Sequence, residues 1–382
     1  MGGEAWIYVH DLRATGVVRN ALAIARRLAR DRPTTLVAGY GTGFLRDLAA
    51  GDPAFRYRCL SEQPPPRHLA RMKLVPALAR LLARERPAVL LSAGKLGHPT
   101  VLAASALRRA PPRIYRMSNE LKRRSALRTF GRTTLARLVA RDAARLVLIS
   151  KRVADSPAFV QAFRDGRAEI VHNGVDIARA QDMARAPWGG RWGGGDVPMV
   201  LAIGRLHEQK NYPMLIDAVA LVRQRQRVRL VILGGGPESA FAMLRARADA
   251  AGIGDDLLLA GDTANVFPWI ARAQVLALAS KWEGFGTVML EAMALGIAVV
   301  ATRQAGDAEE VLGGGRYGLL ADADDTAGFA AALARQLGPD RVLPGDRATA
   351  FDQNAMLDRY AAIVAEVIAQ AGPQASPGDE SR

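Results

Sequence analysis

Short apolar runs alternate with amphipathic helical stretches along almost the whole chain, and this alternation restricts the possible folds more than any other feature. Residues 6–10, 35–38, 88–92, 113–117 and 146–150 read as strands. Between them, residues 17–30, 69–86, 100–108 and 133–141 carry apolar side chains at helical spacing. Such alternation predicts a parallel sheet with helices on both faces. The pattern restarts after residue 197, with strands at 199–203, 230–233, 257–259, 275–278, 297–301 and 318–320. Helices are expected there at 213–223, 239–251, 266–271, 288–295 and 326–337. The predicted fold class is therefore α/β, with two Rossmann-like doubly wound units.

The length of 382 residues suits two such domains. The expected boundaries are 1–185, a Gly-rich linker at 186–196, and 197–350. A helix at 351–371 is expected, opened by Asp352 as its cap, and 372–382 reads as a disordered tail. Two doubly wound units joined by a hinge are expected to bind a ligand in the cleft between them, at the C-terminal ends of strands. The single cysteine, Cys59, can form no internal disulfide. The N-terminus lacks a signal-peptide pattern and no run of about 20 apolar residues occurs, so the expected address is the cytoplasm.

Charge separates the halves. Residues 1–185 hold 34 Lys and Arg against 14 Asp and Glu, a net of +20, while residues 186–382 hold 18 against 23, a net of −5. The basic half suits an anionic membrane surface, an anionic acceptor or nucleic acid. Arginine-rich composition is the alternative, since 46 of the 52 basic residues are arginine. No recognition helix, zinc-ligand spacing or RNA-stacking signature is present, so nucleic acid is not the expected partner.

Chemistry concentrates in the run Glu283-Gly284-Phe285-Gly286-Thr287-Val288-Met289-Leu290-Glu291. A strand leads into a glycine turn, and a helix then starts near Thr287. Backbone N–H groups at a helix start bind anions, and glycines let a diphosphate approach closely. Of the two carboxylates, one suits the hydroxyls of a sugar ring and the other those of a ribose. Two solvated glutamates at a helix start are the plainer alternative. The loop Gly204-Arg205-Leu206-His207-Glu208-Gln209-Lys210-Asn211 follows the first strand of the second half. Its Arg205 and Lys210 can clamp a leaving diphosphate.

With these segments in order, the second half resembles the C-terminal domain of retaining GT-B glycosyltransferases of family 4, the glycosyl transferases group 1. The resemblance also rests on Val171-His172-Asn173-Gly174-Val175-Asp176, Leu233-Gly234-Gly235-Gly236-Pro237 and Glu291-Ala292-Met293-Ala294-Leu295-Gly296. Ala305-Gly306-Asp307-Ala308-Glu309 stands where the family has a Gly-Gly-x-x-Glu turn.

The resemblance implies that the helix at 351–371 crosses back to the first domain, that Arg205 and Lys210 bind the diphosphate and that Glu283 contacts the donor sugar. Phe285, Gly286 and Thr287 would present N–H groups, and Glu291 would hold the ribose. Gly235, Gly236, Pro237 and Val266 would border the base. Gly16, in Ala14-Thr15-Gly16-Val17, resembles the family's glycine loop, with Thr15 where a second glycine is common. Many members place a histidine after the fourth N-terminal strand. Here that stretch reads Tyr115-Arg116-Met117-Ser118-Asn119-Glu120, so Arg116, Ser118 and Asn119 are the acceptor-side candidates. His98 is the candidate catalytic histidine, with a helix-start structural histidine as the alternative.

The implied reaction moves a hexosyl or N-acetylhexosaminyl group, from a UDP-sugar in preference, onto a glycan, lipid-linked or lipopolysaccharide-type acceptor with retention. The charge on the leaving diphosphate would be met by Arg205, Lys210 and helix N–H groups, so no metal or other cofactor is expected. Asp322-Ala323-Asp324 is read as a cap of the following helix rather than a metal motif. The basic, intermittently apolar stretch 121–139 suits an anionic membrane interface, which would make the protein peripheral at the inner face of the cytoplasmic membrane. The competing classes are a nucleotide-sugar epimerase or hydrolase and a non-enzymatic anion- or nucleic-acid-binding protein.

Overall fold

The computed structural model describes residues 3–13, 15–64, 70–107, 110–118, 126–189, 192 and 197–372. Asn119, residues 121–125 of the basic stretch and nearly all of the expected tail lie outside the described residues. The chain forms two units, residues 1–171 with 356–382, and residues 172–355.

In the first unit the strands are β1 (Ala5–Val9), β2 (Thr34–Tyr40), β3 (Arg56–Ser61), β4 (Val89–Ser92), β5 (Arg113–Met117), β6 (Arg145–Leu148) and β7 (Ala168–Ile170). They form one sheet in the order β3-β2-β1-β4-β5-β6-β7. All described pairings are parallel, with Ala5 of β1 opposite Thr34 on one side and Val89 on the other. β1, β2 and β4 are buried along their whole length, as strands covered by helices on both faces must be.

Sequence pattern found the five inner strands and missed the two edges. β3 reads Arg-Tyr-Arg-Cys-Leu-Ser and is only partly buried, and β7 has three half-buried residues. An edge strand has one neighbour and open solvent beside it, so it tolerates charge and loses the apolar signal.

The helix Gln353–Ala371 completes this unit. Asp352 Oδ1 accepts the N–H of Ala355 at 2.8 Å and starts it. From Met356 onward the helix inserts Met356, Tyr360, Ile363, Val364 and Val367 into the core formed by β1 and the helix Gly16–Leu28. Arg359 ties it down through Glu169, with Nε at 2.7 Å and Nη2 at 2.9 Å from the two carboxylate oxygens. The expected return of the last helix to the first domain is thus found.

The second unit contains β8 (Met199–Ile203), β9 (Arg229–Leu233), β10 (Leu257–Gly261), β11 (Val275–Leu278), β12 (Ala298–Thr302) and β13 (Leu319–Ala321). Their order is β10-β9-β8-β11-β12-β13, again parallel throughout. The strand order reverses direction between β8 and β11, which is where a doubly wound sheet opens a crevice at its strand C-termini.

The division between units falls at residue 171, ahead of the expected boundary at 185. The helix Ile177–Ala184 belongs to the second unit, where the Asn265 side chain donates to the Met183 carbonyl at 2.9 Å. The described part of the expected linker packs there too. Trp188 meets Trp269 edge-to-face at 5.2 Å, and Arg229 lies over Trp192 at 5.2 Å. Two tryptophans make this stretch stick, where its glycines alone suggest a free hinge. No helix among the described residues is long and apolar enough to cross a membrane.

Candidate functional site

The loop after β8 begins at Gly204, whose φ of +149° is natural only for glycine. A Cβ there would stand 2.2 Å from Cε of Lys210, so the glycine makes room for the lysine stem. The Tyr212 hydroxyl donates to the Gly204 carbonyl at 2.7 Å and pins the loop. His207 Nδ1 accepts the Gln209 N–H at 3.1 Å, which starts a single 3-10 turn, Glu208–Lys210. Asn211 then adopts φ +55° and turns the chain into the helix Tyr212–Arg223.

The turn after β11 lies beside this loop because β8 and β11 are neighbours. Lys210 Nζ donates to Glu283 Oε1 at 2.7 Å. Ser280 Oγ donates to the same oxygen at 2.8 Å, and Gln209 Nε2 donates to Oε2 at 3.1 Å. Gln209 Nε2 also reaches the Trp282 carbonyl at 2.9 Å. The Thr302 hydroxyl, from the end of β12, donates to the Ser280 carbonyl and fixes that residue in turn. The Lys210 and Glu283 side chains are 17% and 13% exposed, sheltered enough to strengthen the pair yet open to a ligand.

Beyond Glu283 the chain buries Phe285, turns at Gly286 with φ +87°, and enters the helix Thr287–Ala294. No side chain caps that helix start. Gly306 presses on the turn from the loop after β12: its φ is +62°, and a Cβ would stand 2.6 Å from the Phe285 backbone. Asn173 Nδ2 donates to Thr287 Oγ1 at 3.3 Å. Glu291 sits one helical turn beyond Thr287 and is half-buried. Arg205 is exposed on its loop.

The remaining predicted donor residues line the neighbouring strand ends. Gly234 takes φ +147°, and a Cβ would fall 2.0 Å from the Gly204 carbonyl oxygen, so the loops after β8 and β9 touch backbone to backbone. The Gly235 N–H donates to Asp262 Oδ1 at 2.7 Å, joining the loops after β9 and β10. Gly236 and Pro237 are exposed, with Pro237 preceding the helix Glu238–Ala250. Val266 is half-buried and precedes the short helix Phe267–Ile270.

In the first unit, Gly16 is exposed at the first position of its helix, and Thr15 Oγ1 accepts the Val18 N–H at 3.4 Å as its cap. His98 begins the helix His98–Leu107 but is 3% exposed, with Nδ1 at 2.7 Å from Ser92 Oγ and Tyr115 edge-on at 5.4 Å. Burial pulls its pKa down to about 3, partly offset by the facing Arg116 carbonyl. Of the two readings for His98, this enclosed, neutral ring has the character of the structural histidine.

Arg116 is 1% exposed and its Nε donates to the Tyr360 hydroxyl at 3.0 Å, so it faces the last helix inside its own unit. That corrects the expectation of an acceptor-facing arginine: the position lies mid-sheet, where side chains point into a helix layer. Ser118 is also buried.

The capping role given to Asp322 and Asp324 is corrected as well. Asp325 is the cap, its Oδ1 accepting the Gly328 N–H at 2.8 Å, while Asp322 accepts from Gln304. The metal-capable group among the described residues is His172, Asp307 and Glu310, whose ligand atoms lie within 4.8 Å of one another. His172 Nε2 is 3.3 Å from Asp307 Oδ2. Gln209 and Ser280 were not singled out from sequence. Their only signal is a polar residue beside Lys210 and a hydroxyl three positions before Glu283.

Residues 197–338 match the family model described as glycosyl transferases group 1. Over 199 residues the chain is 29% identical to the N-acetylgalactosamine-N,N'-diacetylbacillosaminyl-diphospho-undecaprenol 4-alpha-N-acetylgalactosaminyltransferase of Campylobacter jejuni, covering 49% of this chain and 50% of that protein. It is 34% identical over 224 residues to the GDP-mannose-dependent alpha-(1-6)-phosphatidylinositol monomannoside mannosyltransferase of Mycolicibacterium smegmatis, covering 55% and 57%. The chain therefore spans about half the length of these curated relatives. Among solved structures, Anabaena HepE in complex with UDP and glucose aligns with a TM-score of 0.76 at 19% identity, over 95% of this chain and 100% of that one. Two parallel Rossmann-like sheets and the matching solved fold agree that this chain has the GT-B fold, and its residues 197–338 match the glycosyl transferases group 1 model.

Proposed function

We propose that the protein is a retaining glycosyltransferase that moves a hexosyl or N-acetylhexosaminyl group from a nucleotide diphosphate sugar to a lipid-linked or lipopolysaccharide-type glycan. The Lys210–Glu283 pair at 2.7 Å, beside an uncapped helix start, carries this reading. Lys210 has three N–H donors and gives one to Glu283, leaving two for diphosphate oxygens. Exposed Arg205 adds a planar fork for the same oxygens. The N–H groups that open the helix Thr287–Ala294 supply further positive potential without any proton transfer.

As the bond from the anomeric carbon to the diphosphate breaks, negative charge grows on the leaving oxygen. These groups are already oriented toward that charge, which lowers the barrier with little reorganisation. In this reading they serve in place of a metal. Glu283 holds a sugar hydroxyl and Glu291 the ribose. The acceptor hydroxyl attacks from the face the diphosphate leaves, which conserves the anomeric configuration. UDP-sugar is the favoured donor, by likeness to the UDP-bound Anabaena protein. The lipid-linked acceptor follows from the name of the Campylobacter relative, and the basic half suits the anionic surface on which such an acceptor resides.

A thermal-shift panel of UDP- and GDP-sugars tests the donor. Release of nucleoside diphosphate with a lipid-linked glycan, and the anomeric proton coupling of the product, test transfer and its stereochemistry. Stabilisation by at least one nucleotide sugar and an axial product are expected. Failure of every nucleotide sugar to stabilise the protein would overturn the proposal, and an inverted product would overturn retention.

A further inference from the structure

Glu283 is held from more directions than a sugar-binding carboxylate requires. Its Oε1 accepts from both Lys210 Nζ at 2.7 Å and Ser280 Oγ at 2.8 Å. Its Oε2 accepts from Gln209 Nε2 at 3.1 Å. The donors are themselves fixed. Gln209 is anchored by the Trp282 carbonyl at 2.9 Å and by the Lys281 N–H, which donates to its own carbonyl at 2.8 Å. Ser280 is fully buried, and the Thr302 hydroxyl grips its carbonyl. A carboxylate offers about four lone-pair directions, and three are taken here. Oε1 is saturated by a cation and a hydroxyl, and the free direction lies on Oε2.

We infer that Gln209 and Ser280 are positioning residues that lock the Glu283 carboxylate so that a single Oε2 lone pair reads one donor-sugar hydroxyl, making this pair a determinant of sugar selectivity. The inference rests on the proposed donor site. The physical reason for two locks is rotational. Lys210 alone holds one oxygen and leaves the carboxylate free to swing about that contact. Ser280 fixes which oxygen faces the ammonium, and Gln209 fixes the plane. A locked acceptor discriminates between epimers because the wrong epimer leaves it unpaired, whereas a swinging one follows the hydroxyl to either position.

The test uses the full chain and the variants Gln209→Met, which keeps the stem length without the donor, and Ser280→Ala. Three quantities are read: Kd for the nucleoside diphosphate alone, UDP or GDP, whichever the wild type binds; kcat for the preferred sugar; and the ratio of kcat/KM between that sugar and its most strongly discriminated single-hydroxyl epimer. The nucleoside diphosphate carries no sugar, so its Kd is expected to stay within about twofold. Loss of one hydrogen bond to a charged group is expected to lower kcat by about tenfold and to collapse the epimer ratio by about fivefold or more. Gln209→Glu places a like charge on Oε2 and is expected to lower kcat further than Gln209→Met, a difference that a packing role would not produce.

An unchanged kcat and epimer ratio in both variants would overturn the inference. So would loss of nucleoside diphosphate binding in both, since the residues would then be holding the loops rather than orienting the carboxylate. A wild type that binds no nucleotide sugar would instead overturn the donor-site reading beneath it.

Discussion

Lys210 Nζ and Glu283 Oε1 stand 2.7 Å apart although 73 residues separate them, because the loop after β8 and the turn after β11 leave the C-terminal ends of adjacent parallel strands. Replacing Lys210 by Met removes the cation and leaves Glu283 partly sheltered with its charge uncompensated. Transfer is expected to fall by about a hundredfold or more, as for loss of a preorganised charge donor. Steady-state kinetics checks this, with circular dichroism confirming the fold. Activity within twofold of wild type would remove Lys210 from the site.

Gly306→Ala tests the close approach that shapes the glycine turn. The added Cβ would stand 2.6 Å from the Phe285 backbone at a residue with φ +62°. Strain and overpacking together are expected to cost about 2 kcal/mol or more. Urea denaturation measures the loss, and thermal shift with nucleotide sugar should show weakened binding, since the same turn carries Gly286 and Thr287.

His98 makes the first unit sensitive to acid. Its folded pKa of about 3 lies below the unfolded value of about 6.5, so the unfolded chain binds the extra proton first. The stability gained by keeping it neutral is complete above about pH 6.5 and is lost progressively as pH falls toward 3. His98→Gln keeps a polar group near Ser92 and removes the titration. Urea midpoints of wild type and variant at pH 7.5 and 5 should show a smaller acid loss in the variant; equal losses would show that His98 does not titrate this way.

Truncation after residue 352 removes the helix that fills the first unit. Tyr360, Ile363, Val364 and Val367 are each no more than 1% exposed, and each such side chain contributes roughly 1.5–3 kcal/mol through burial. The shortened chain is expected to aggregate or to lose protection throughout β1 and β2 in hydrogen exchange. Intact protection there would show that the helix is dispensable.

Vesicle flotation addresses the basic half. Retention on vesicles is expected to require anionic lipid and to weaken as salt is raised, because the attraction is screened within a Debye length. Binding indifferent to lipid charge and salt would count against a membrane role for the +20 net charge of residues 1–185.

Much of this was legible in the sequence. Buried inner strands such as Met199–Ile203 and Val275–Leu278 stand as predicted, because burial on both faces demands a continuous apolar run. The glycines at 204, 234 and 286 marked turns, and each adopts a backbone angle that other residues rarely reach. Edge strands β3 and β7 escaped notice because solvent on one side relaxes that demand. Arg116 misled because a buried arginine and a ligand-binding arginine look alike in one dimension, and only the arrival of Tyr360 from 244 residues away distinguishes them.

The sequence by itself determined the alternating architecture, the strand-loop-helix setting of Arg205, Lys210, Glu283 and Glu291, and the charge asymmetry. These are local properties: periodicity, glycine conformational freedom and residue type. Tertiary structure decided which side chains meet. It paired Lys210 with Glu283, added Gln209 and Ser280 to the same carboxylate, and enclosed His98 and Arg116. Contacts of that kind follow from strand order in the folded sheet, and strand order is set by packing across the whole chain rather than by any local segment.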